Sequence, residues 1–131
     1  TGATAGEGVA VNETDRLISS DKVEGTSVYN RADESVGSIY TVMIDKYSGQ
    51  VAYAVMSFGG FLGIGERYHP LPWDKLTYDA QHGGYVVDVT RDQLQAAPAY
   101  ARDETPWSDP LYGQAVHGYY GLPFGAPLPR I

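Results

Sequence analysis

The chain has 131 residues, no cysteine, 43% apolar residues and a formal net charge of −7. This length and composition indicate one domain that can bury a core of its own. The acidic charge argues against a general nucleic-acid or anionic-membrane surface, which needs clustered Lys and Arg, and the lack of cysteine excludes disulfides, zinc–thiolate sites, iron–sulfur clusters and thiol catalysis.

Residues 1–16 are mostly small and polar, which predicts a flexible N-terminal lead-in. No apolar run approaches the ~20 residues that a membrane helix needs, so we expect no membrane span in this chain. The chain begins at Thr1 rather than at Met, which leaves the earlier removal of a signal peptide open. We therefore expect a cytoplasmic protein, with the periplasm as the alternative if a signal peptide was removed.

Short strands separated by turns are predicted between residues 26 and 89. Such spacing is typical of an antiparallel barrel or sandwich, and the βαβ rhythm of a doubly wound nucleotide-binding fold is missing. Pro70 and Pro72 cannot donate ladder hydrogen bonds, so the strand that contains them is expected at an edge or at a barrel seam. The predicted strands are 26–30, 38–45, 50–58, 67–71, 75–79 and 85–89.

One short helix and an unusual tail follow the predicted strands. Thr90 and Gln93 have the spacing of a capping box, and Pro98 ends the helix that they begin. Residues 98–131 contain six of the eight prolines and six aromatic residues. Disordered tails are normally poor in aromatics. We therefore expect an extended tail that docks its rings on the barrel or on a dimer partner.

The predicted strands 38–45 and 50–58 are apolar on both faces. In the second of these, Val55 and its neighbour Met56 point to opposite sides, because side chains alternate along a strand. Burial on both faces is the usual reason for such a pattern. The barrel interior can cover one face. The tail, a second copy of the chain or another protein must then cover the other.

The glycine-rich stretch at 58–74 was tested as a phosphate-binding loop. Gly60 and Gly65 have the spacing of a Walker A loop, but Glu66 stands where that loop needs its lysine. A carboxylate at this position repels phosphate. The glycines are therefore interpreted as backbone positions in a crossing between two barrel strands.

Metal and cofactor chemistry has little support in the sequence. His69, His82 and His117 are scattered and form none of the usual ligand spacings. Ser57, His69 and Asp74 can be combined on paper into a catalytic triad, but such sets occur in most chains of this size. We therefore assign no catalytic, metal-binding or cofactor-binding residue and expect no cofactor. The alternative is a small-ligand-binding or enzymatic barrel with a site near Glu66, His69 and Asp74.

Several short motifs occur between residues 25 and 73 in a characteristic order. They are Gly25-x-x-Val28-Tyr29-Asn30, Val36-Gly37-x-Ile39, MID at 43–45, Gly49, Phe58, GGFLGIG at 59–65 and Leu71-Pro72-Trp73. In this order they resemble the PRC-barrel family, which is named for a domain of the photosynthetic reaction-centre H subunit and includes a domain of a ribosome-maturation factor. The stretches YHPLPW, GGYVVDVTRDQL and YYG look like those of stand-alone bacterial PRC-barrel proteins.

The resemblance implies an all-β fold, a small antiparallel six-stranded β-barrel. We place this barrel in residues 17–97, with one short helix, and the extended aromatic, proline-rich tail in residues 98–131. The resemblance also implies a non-catalytic protein-interaction or adaptor module, often paired with itself or docked to a larger assembly. The acidic charge argues against a role in assembling RNA–protein particles, and the absent N-terminal membrane helix argues against a complete reaction-centre H subunit.

The expected partners are a second copy of the chain, an unidentified protein, or both. The glycine-rich stretch carries apolar side chains that either plug one end of the barrel or face a partner. Exposed apolar loops are unusual, which makes partner contact as reasonable as plugging. The candidate interface residues are Phe61, Leu62, Ile64, Met56, Phe58, Trp107, Tyr112, Tyr119, Tyr120 and Phe124.

Overall fold

A computed structural model describes residues 13–58 and 67–123 of the chain. Within these residues the protein forms a curled six-stranded sheet with short helices. The strands are β1 Ser27–Tyr29, β2 Ser35–Ile44, β3 Val51–Phe58, β4 Arg67–Pro72, β5 Leu76–Asp79 and β6 Gly84–Val87. The helices are α1 Ser20–Val23, α2 Arg91–Ala96 and α3 Tyr112–Tyr119, with 3-10 turns at Trp73–Lys75 and Pro106–Ser108.

The strands lie in the order β4-β3-β2-β1-β6-β5. Neighbouring strands are antiparallel except for β1 and β6, which pair in parallel through Val28 opposite Tyr85 and Tyr29 opposite Val86. The prediction of a mostly β, six-stranded barrel-type sheet is therefore confirmed, but the prediction of a purely antiparallel sheet is wrong. Alternation along a strand gives its faces and leaves its direction open. The direction of β6 depends on how the chain returns to the first strand.

The prolines of β4 mark an edge of the sheet, as their sequence predicted. On that edge Tyr68 exchanges both backbone hydrogen bonds with Tyr100, at 2.9 and 3.0 Å. Strand residues alternate between their two neighbours, so the backbones of Pro70 and Pro72 face the same edge as that of Tyr68. Neither proline has an N–H to donate. Beyond the single bridge, this edge cannot complete the hydrogen-bond ladder that another strand would need.

The sheet has an inner face, which carries Met56 and Leu71, and an outer face, which carries Val55 and Tyr68. Ala54, Val55 and Met56 are consecutive in β3, and each has zero exposure. The prediction that β3 is buried on both faces is therefore confirmed. The same prediction fails for part of β2, which leaves large apolar side chains open to solvent on the outer face.

Most of the core lies on the inner face, and Val116 and Tyr120 near the C-terminus extend it. It unites side chains of all strands except β5 with the three helices, and Leu94 anchors α2 in it with zero exposure. The predicted capping box of α2 is present, because the Thr90 N–H donates to Gln93 Oε1 at 2.7 Å and the Gln93 N–H donates to Thr90 Oγ1 at 3.1 Å. The fully buried side chains of the core include Val28, Met56, Leu71, Val87, Leu94 and Val116.

The described part of the tail, residues 98–123, is called here the C-terminal segment. It is not extended throughout, since it contains the second 3-10 turn and α3, and the prediction of one short helix was too low. Tyr112, Val116 and Tyr120 recur every four residues, which puts them on one helix face. Val116 and Tyr120 join the core. The proline content obscured this spacing. The proposed domain boundaries at 16/17 and 97/98 stay predictions.

The packing of Gly37 gives a test of the β2–β3 contact. A Cβ at this position would collide with the backbone oxygen of Ser57 and crowd Met56. Gly37→Ala should therefore lower the free energy of unfolding by about 1–3 kcal/mol. The matched control is Gly118→Ala in α3, where a Cβ meets open space. That change should be neutral or raise stability by up to about 1 kcal/mol.

Urea denaturation of both variants checks these values. An unchanged midpoint for Gly37→Ala, with the control also unchanged, would contradict the close packing of β2 on β3.

Candidate interaction surface

The ends of the third strand do not supply the partner contacts that the sequence suggested. Met56 has zero exposure and Phe58 is 7% exposed, and both belong to the core. The correction follows from the register, because Met56 lies opposite Ile39 and His69 on the inner face. Four further candidates lie outside the described residues: Phe61, Leu62, Ile64 and Phe124.

The aromatic residues of the C-terminal segment dock on the sheet of the same chain. The Trp107 ring lies 5.1 Å from that of Tyr53 on β3, and its Nε1 donates to the Tyr100 hydroxyl at 3.3 Å. Tyr112 packs edge-on against Trp107, at 5.3 Å. These rings cover part of the outer face, so β3 receives its second cover from its own chain.

Tyr119 and Tyr120 are adjacent in the chain but differ in exposure. Tyr120 is only 6% exposed and belongs to the core. Tyr119 is 41% exposed, and its hydroxyl donates to the backbone oxygen of Gln93 at 2.5 Å. This bond ties α3 to α2. Tyr119 therefore keeps an exposed ring that is fixed in position, whereas Tyr120 has no surface to offer a partner.

Exposed apolar side chains occur along β2 and in the turn that follows it. Tyr40 is 49% exposed, Ile44 is 51% exposed and Tyr47, in the following turn, is 75% exposed. Ile44 lies opposite Val51, which shares the outer face with Val55. We call Tyr40, Ile44 and Tyr47 the β2 strip. The sequence did not predict this strip, because its residues resemble the buried apolar residues of β2. They differ only in that no other part of the described chain covers them.

The β2 strip is continuous with the docking site of the C-terminal segment. The Tyr40 ring lies 4.5 Å from that of Tyr68, and the Tyr68 ring lies 5.7 Å from that of Tyr100. Tyr68 also accepts from Arg102 at 3.3 Å through its hydroxyl. One aromatic surface therefore extends from the exposed strip to the covered face.

The structure does not bring Ser57, His69 and Asp74 together as a catalytic triad. Ser57 lies opposite Ser38 and Tyr68 on the outer face, whereas His69 lies on the inner face. Adjacent positions of a strand point to opposite sides, so the two side chains are separated by the sheet. Asp74 is exposed in the first 3-10 turn. Glu66 lies outside the described residues.

His69 is a buried, neutral side chain. It is 2% exposed, its ring meets that of Phe58 edge-on at 5.3 Å, and its Nδ1 has no hydrogen-bond partner. Burial, together with the nearby charge of Arg67, lowers the pKa of His69 to about 4. An imidazole that stays neutral and is closed off from solvent cannot exchange protons readily with a substrate.

His82 has the opposite environment, at the turn between β5 and β6. Its Nδ1 lies 2.8 Å from Asp79 Oδ2, and its Nε2 lies 3.3 Å from Asp33 Oδ1 in the turn between β1 and β2. The hydrogen bond to Asp79, supported by the charges of both carboxylates, raises the pKa of His82. The ring joins two turns. In residues 13–58 and 67–123, no three acidic or imidazole groups could hold a metal ion.

An open groove of about 490 Å³ lies between residues 13–18 and the β5–β6 hairpin. Trp73, Leu76, Tyr78 and Tyr85 form its apolar wall, and neither His69 nor Asp74 lines it. The groove therefore lends no support to the alternative site near those two residues.

Among the helices that the structure describes, none has the length and apolar character to cross a membrane.

The two histidines predict opposite responses to pH. The pKa of His69 lies below its ordinary value of 6.5, so the unfolded chain binds more protons at acid pH. Its contribution to stability is present above pH 6.5 and is lost towards pH 4, by up to about 3 kcal/mol. His69→Leu should remove that part of the acid sensitivity.

His82→Gln serves as the matched control with the opposite sign. A raised pKa stabilises the fold at pH values below the unfolded pKa, and the effect is lost as pH rises through the folded pKa. His82→Gln should therefore cost stability at pH 6 and much less at pH 8.5. Urea denaturation from pH 4 to 8.5 checks both variants. Equal pH slopes for His69→Leu and the wild type would refute the buried neutral state of His69.

Comparisons with known proteins complete the description of this surface. A solved structure of a proposed 16S ribosomal RNA processing protein, RimM, from Pseudomonas aeruginosa is 20% identical, with a TM-score of 0.37; the match covers 64% of this chain and 50% of that one. This chain thus spans about half the length of that protein. No curated protein matches the sequence. The family model described as the PRC-barrel domain matches residues 15–94, which include all six strands. The chain belongs to the PRC-barrel domain family.

Proposed function

We propose that the protein is a non-catalytic interaction module that associates with a second copy of itself through the β2 strip. The observation that carries this proposal is that the sheet is covered on both faces in the middle of β3, whereas part of the outer face of β2 is exposed. Tyr40 and Ile44 are about half exposed, although Val55 on the same outer face is fully buried. Exposed apolar side chains in a continuous surface mark interaction sites more often than isolated ones do.

A second copy is the partner that fits this strip best. An apolar patch that meets its own copy across a two-fold axis is self-complementary by symmetry. The net charge of −7 opposes the approach of two copies. Apolar contact must therefore supply the attraction. Screening by salt should strengthen the association, in contrast to an interface held by ion pairs.

The size of the strip limits the affinity. A large apolar or aromatic side chain offers roughly 150–250 Å² of surface, so three side chains at half exposure or more supply on the order of 300–400 Å² per copy. A stable interface needs about 800 Å² per partner. The strip alone therefore supports weak, reversible association.

The alternative function, a ligand-binding or enzymatic barrel near Glu66, His69 and Asp74, has less support. His69 is enclosed and neutral, and Asp74 is exposed away from the inner face. We place the protein in the cytoplasm, with the periplasm as the alternative. The acidic charge supports no role in binding nucleic acid.

Replacing Ile44 with lysine tests the proposed surface. The wild type should show an average mass in sedimentation equilibrium that rises with concentration and rises further at high salt. Ile44→Lys puts a desolvated charge in the contact and should leave a monomer over the same range. Leu111→Lys is the matched control, since Leu111 is 65% exposed but lies outside the β2 strip. It should associate like the wild type.

Circular dichroism must show that both variants keep the fold of the wild type. A wild type that stays monomeric at every protein and salt concentration would refute the proposed self-association. Equal losses in Ile44→Lys and Leu111→Lys would show that the association does not depend on the strip.

A further inference from the structure

We propose that tight association proceeds by reciprocal exchange, in which each copy docks its C-terminal segment on the outer face of the other. This inference rests on the proposed self-association and names the contact that would make it stable. The outer face of β3 and β4 would then be an interaction surface whose partner is residues 98–123 of a second copy.

The area available to a dimer supports exchange. The β2 strip offers less than half the surface that a stable dimer needs. The C-terminal segment makes a far larger contact within its own chain, because Val116 has zero exposure, Tyr120 is 6% exposed and Trp107 packs on Tyr53. After exchange the same side chains make the same contacts between two chains. No new complementarity is required, which is why exchange of an identical element is a low-cost route to a dimer.

The backbone pairing that attaches the segment to the sheet edge is small. At the edge of β4 it is held by one β-bridge, between Tyr68 and Tyr100, and the prolines that follow Tyr68 in β4 prevent the bridge from growing into a ladder. Only Ala97, Pro98 and Ala99 separate the end of α2 from Tyr100. Ala97 is already extended, with φ −73° and ψ 158°. A short extended connection can carry the segment away from its own sheet without breaking α2.

The docked segment contains buried polar groups that can form hydrogen bonds to water when the segment leaves the sheet. The hydroxyls of Tyr112 and Tyr120 are buried, and the described part of the chain offers neither of them a hydrogen-bond partner. A buried polar group without a hydrogen-bond partner destabilises the docked state. Burial also raises the pKa of Tyr112 to about 12 and that of Tyr120 further in the same direction. Water regains access to both hydroxyls on opening, which offsets part of the apolar contact that is lost.

The position of the β2 strip explains why the incoming segment should come from a second copy. Tyr40 of the strip packs on Tyr68, which is also the residue that pairs with Tyr100. Two copies held together at their strips therefore lie next to each other's docking site. Proximity of this kind raises the effective concentration of the second segment over any free competitor.

The lack of cysteine makes the exchange measurable by disulfide formation. Arg67 and Ala101 flank the bridge on its two sides, and the Arg67 side chain already reaches the backbone oxygen of Ala99 at 3.4 Å. In the full chain, the double variant Arg67→Cys/Ala101→Cys should close a disulfide within one chain at low concentration. An equimolar mixture of the two single variants should form covalent dimers of one chain of each kind. Mass spectrometry identifies the linked chains.

Three outcomes decide the proposal. Mixed dimers should exceed dimers of either single variant with itself by roughly tenfold, because only the exchanged arrangement places the two sites together. The oxidised double variant should lose the tight association and recover it on reduction. A mixture that stays uncrosslinked, while the double variant closes fully, overturns exchange; crosslinks formed equally among all pairs also overturn it. If wild-type mass still rises with concentration in either case, the β2 strip stands and only the exchange fails.

Discussion

The outer side of β3 has to be covered, and the docking of Trp107 on Tyr53 is the contact that begins to cover it. Val55 lies between fully buried neighbours, although its side chain points away from the inner face. A bare sheet would leave this valine in water. The C-terminal segment, which follows the barrel in the sequence, packs back on the sheet and covers part of its outer face. The segment follows the region that matches the PRC-barrel model, so the family fold and its cover are separate parts of the sequence.

The same segment deals with a second liability, the open edge of β4. An exposed edge strand invites pairing with other chains. Two devices meet here: prolines at positions 70 and 72 remove donors, and Tyr100 occupies the donor and the acceptor of Tyr68. The cover of the face and the block of the edge thus depend on one stretch of chain. That dependence explains why a segment outside the family match still contributes Val116 to the core.

Local patterns predicted most of the strands and the cap of α2, because alternation, turn residues and capping spacing act over a few residues. Thr90 and Gln93 need only each other to form the box. The parallel pairing of β1 with β6 depends on the path of more than fifty residues between them, which no local pattern records. The exposure of Ile44 escaped prediction for a related reason. Ile44 and Val55 look alike in sequence, yet Ile44 is 51% exposed and Val55 has zero exposure.

The sequence left open which side of β3 faces the interior, again for a physical reason. Period-two alternation separated Met56 from Val55 but could not say which side was the interior. Among the described residues, the buried polar side chains are His69, Asn30 and Ser48. Asn30 is committed to its own turn, where its Oδ1 accepts from two backbone N–H groups. On the outer face, by contrast, aromatic rings continue from buried to exposed without a break.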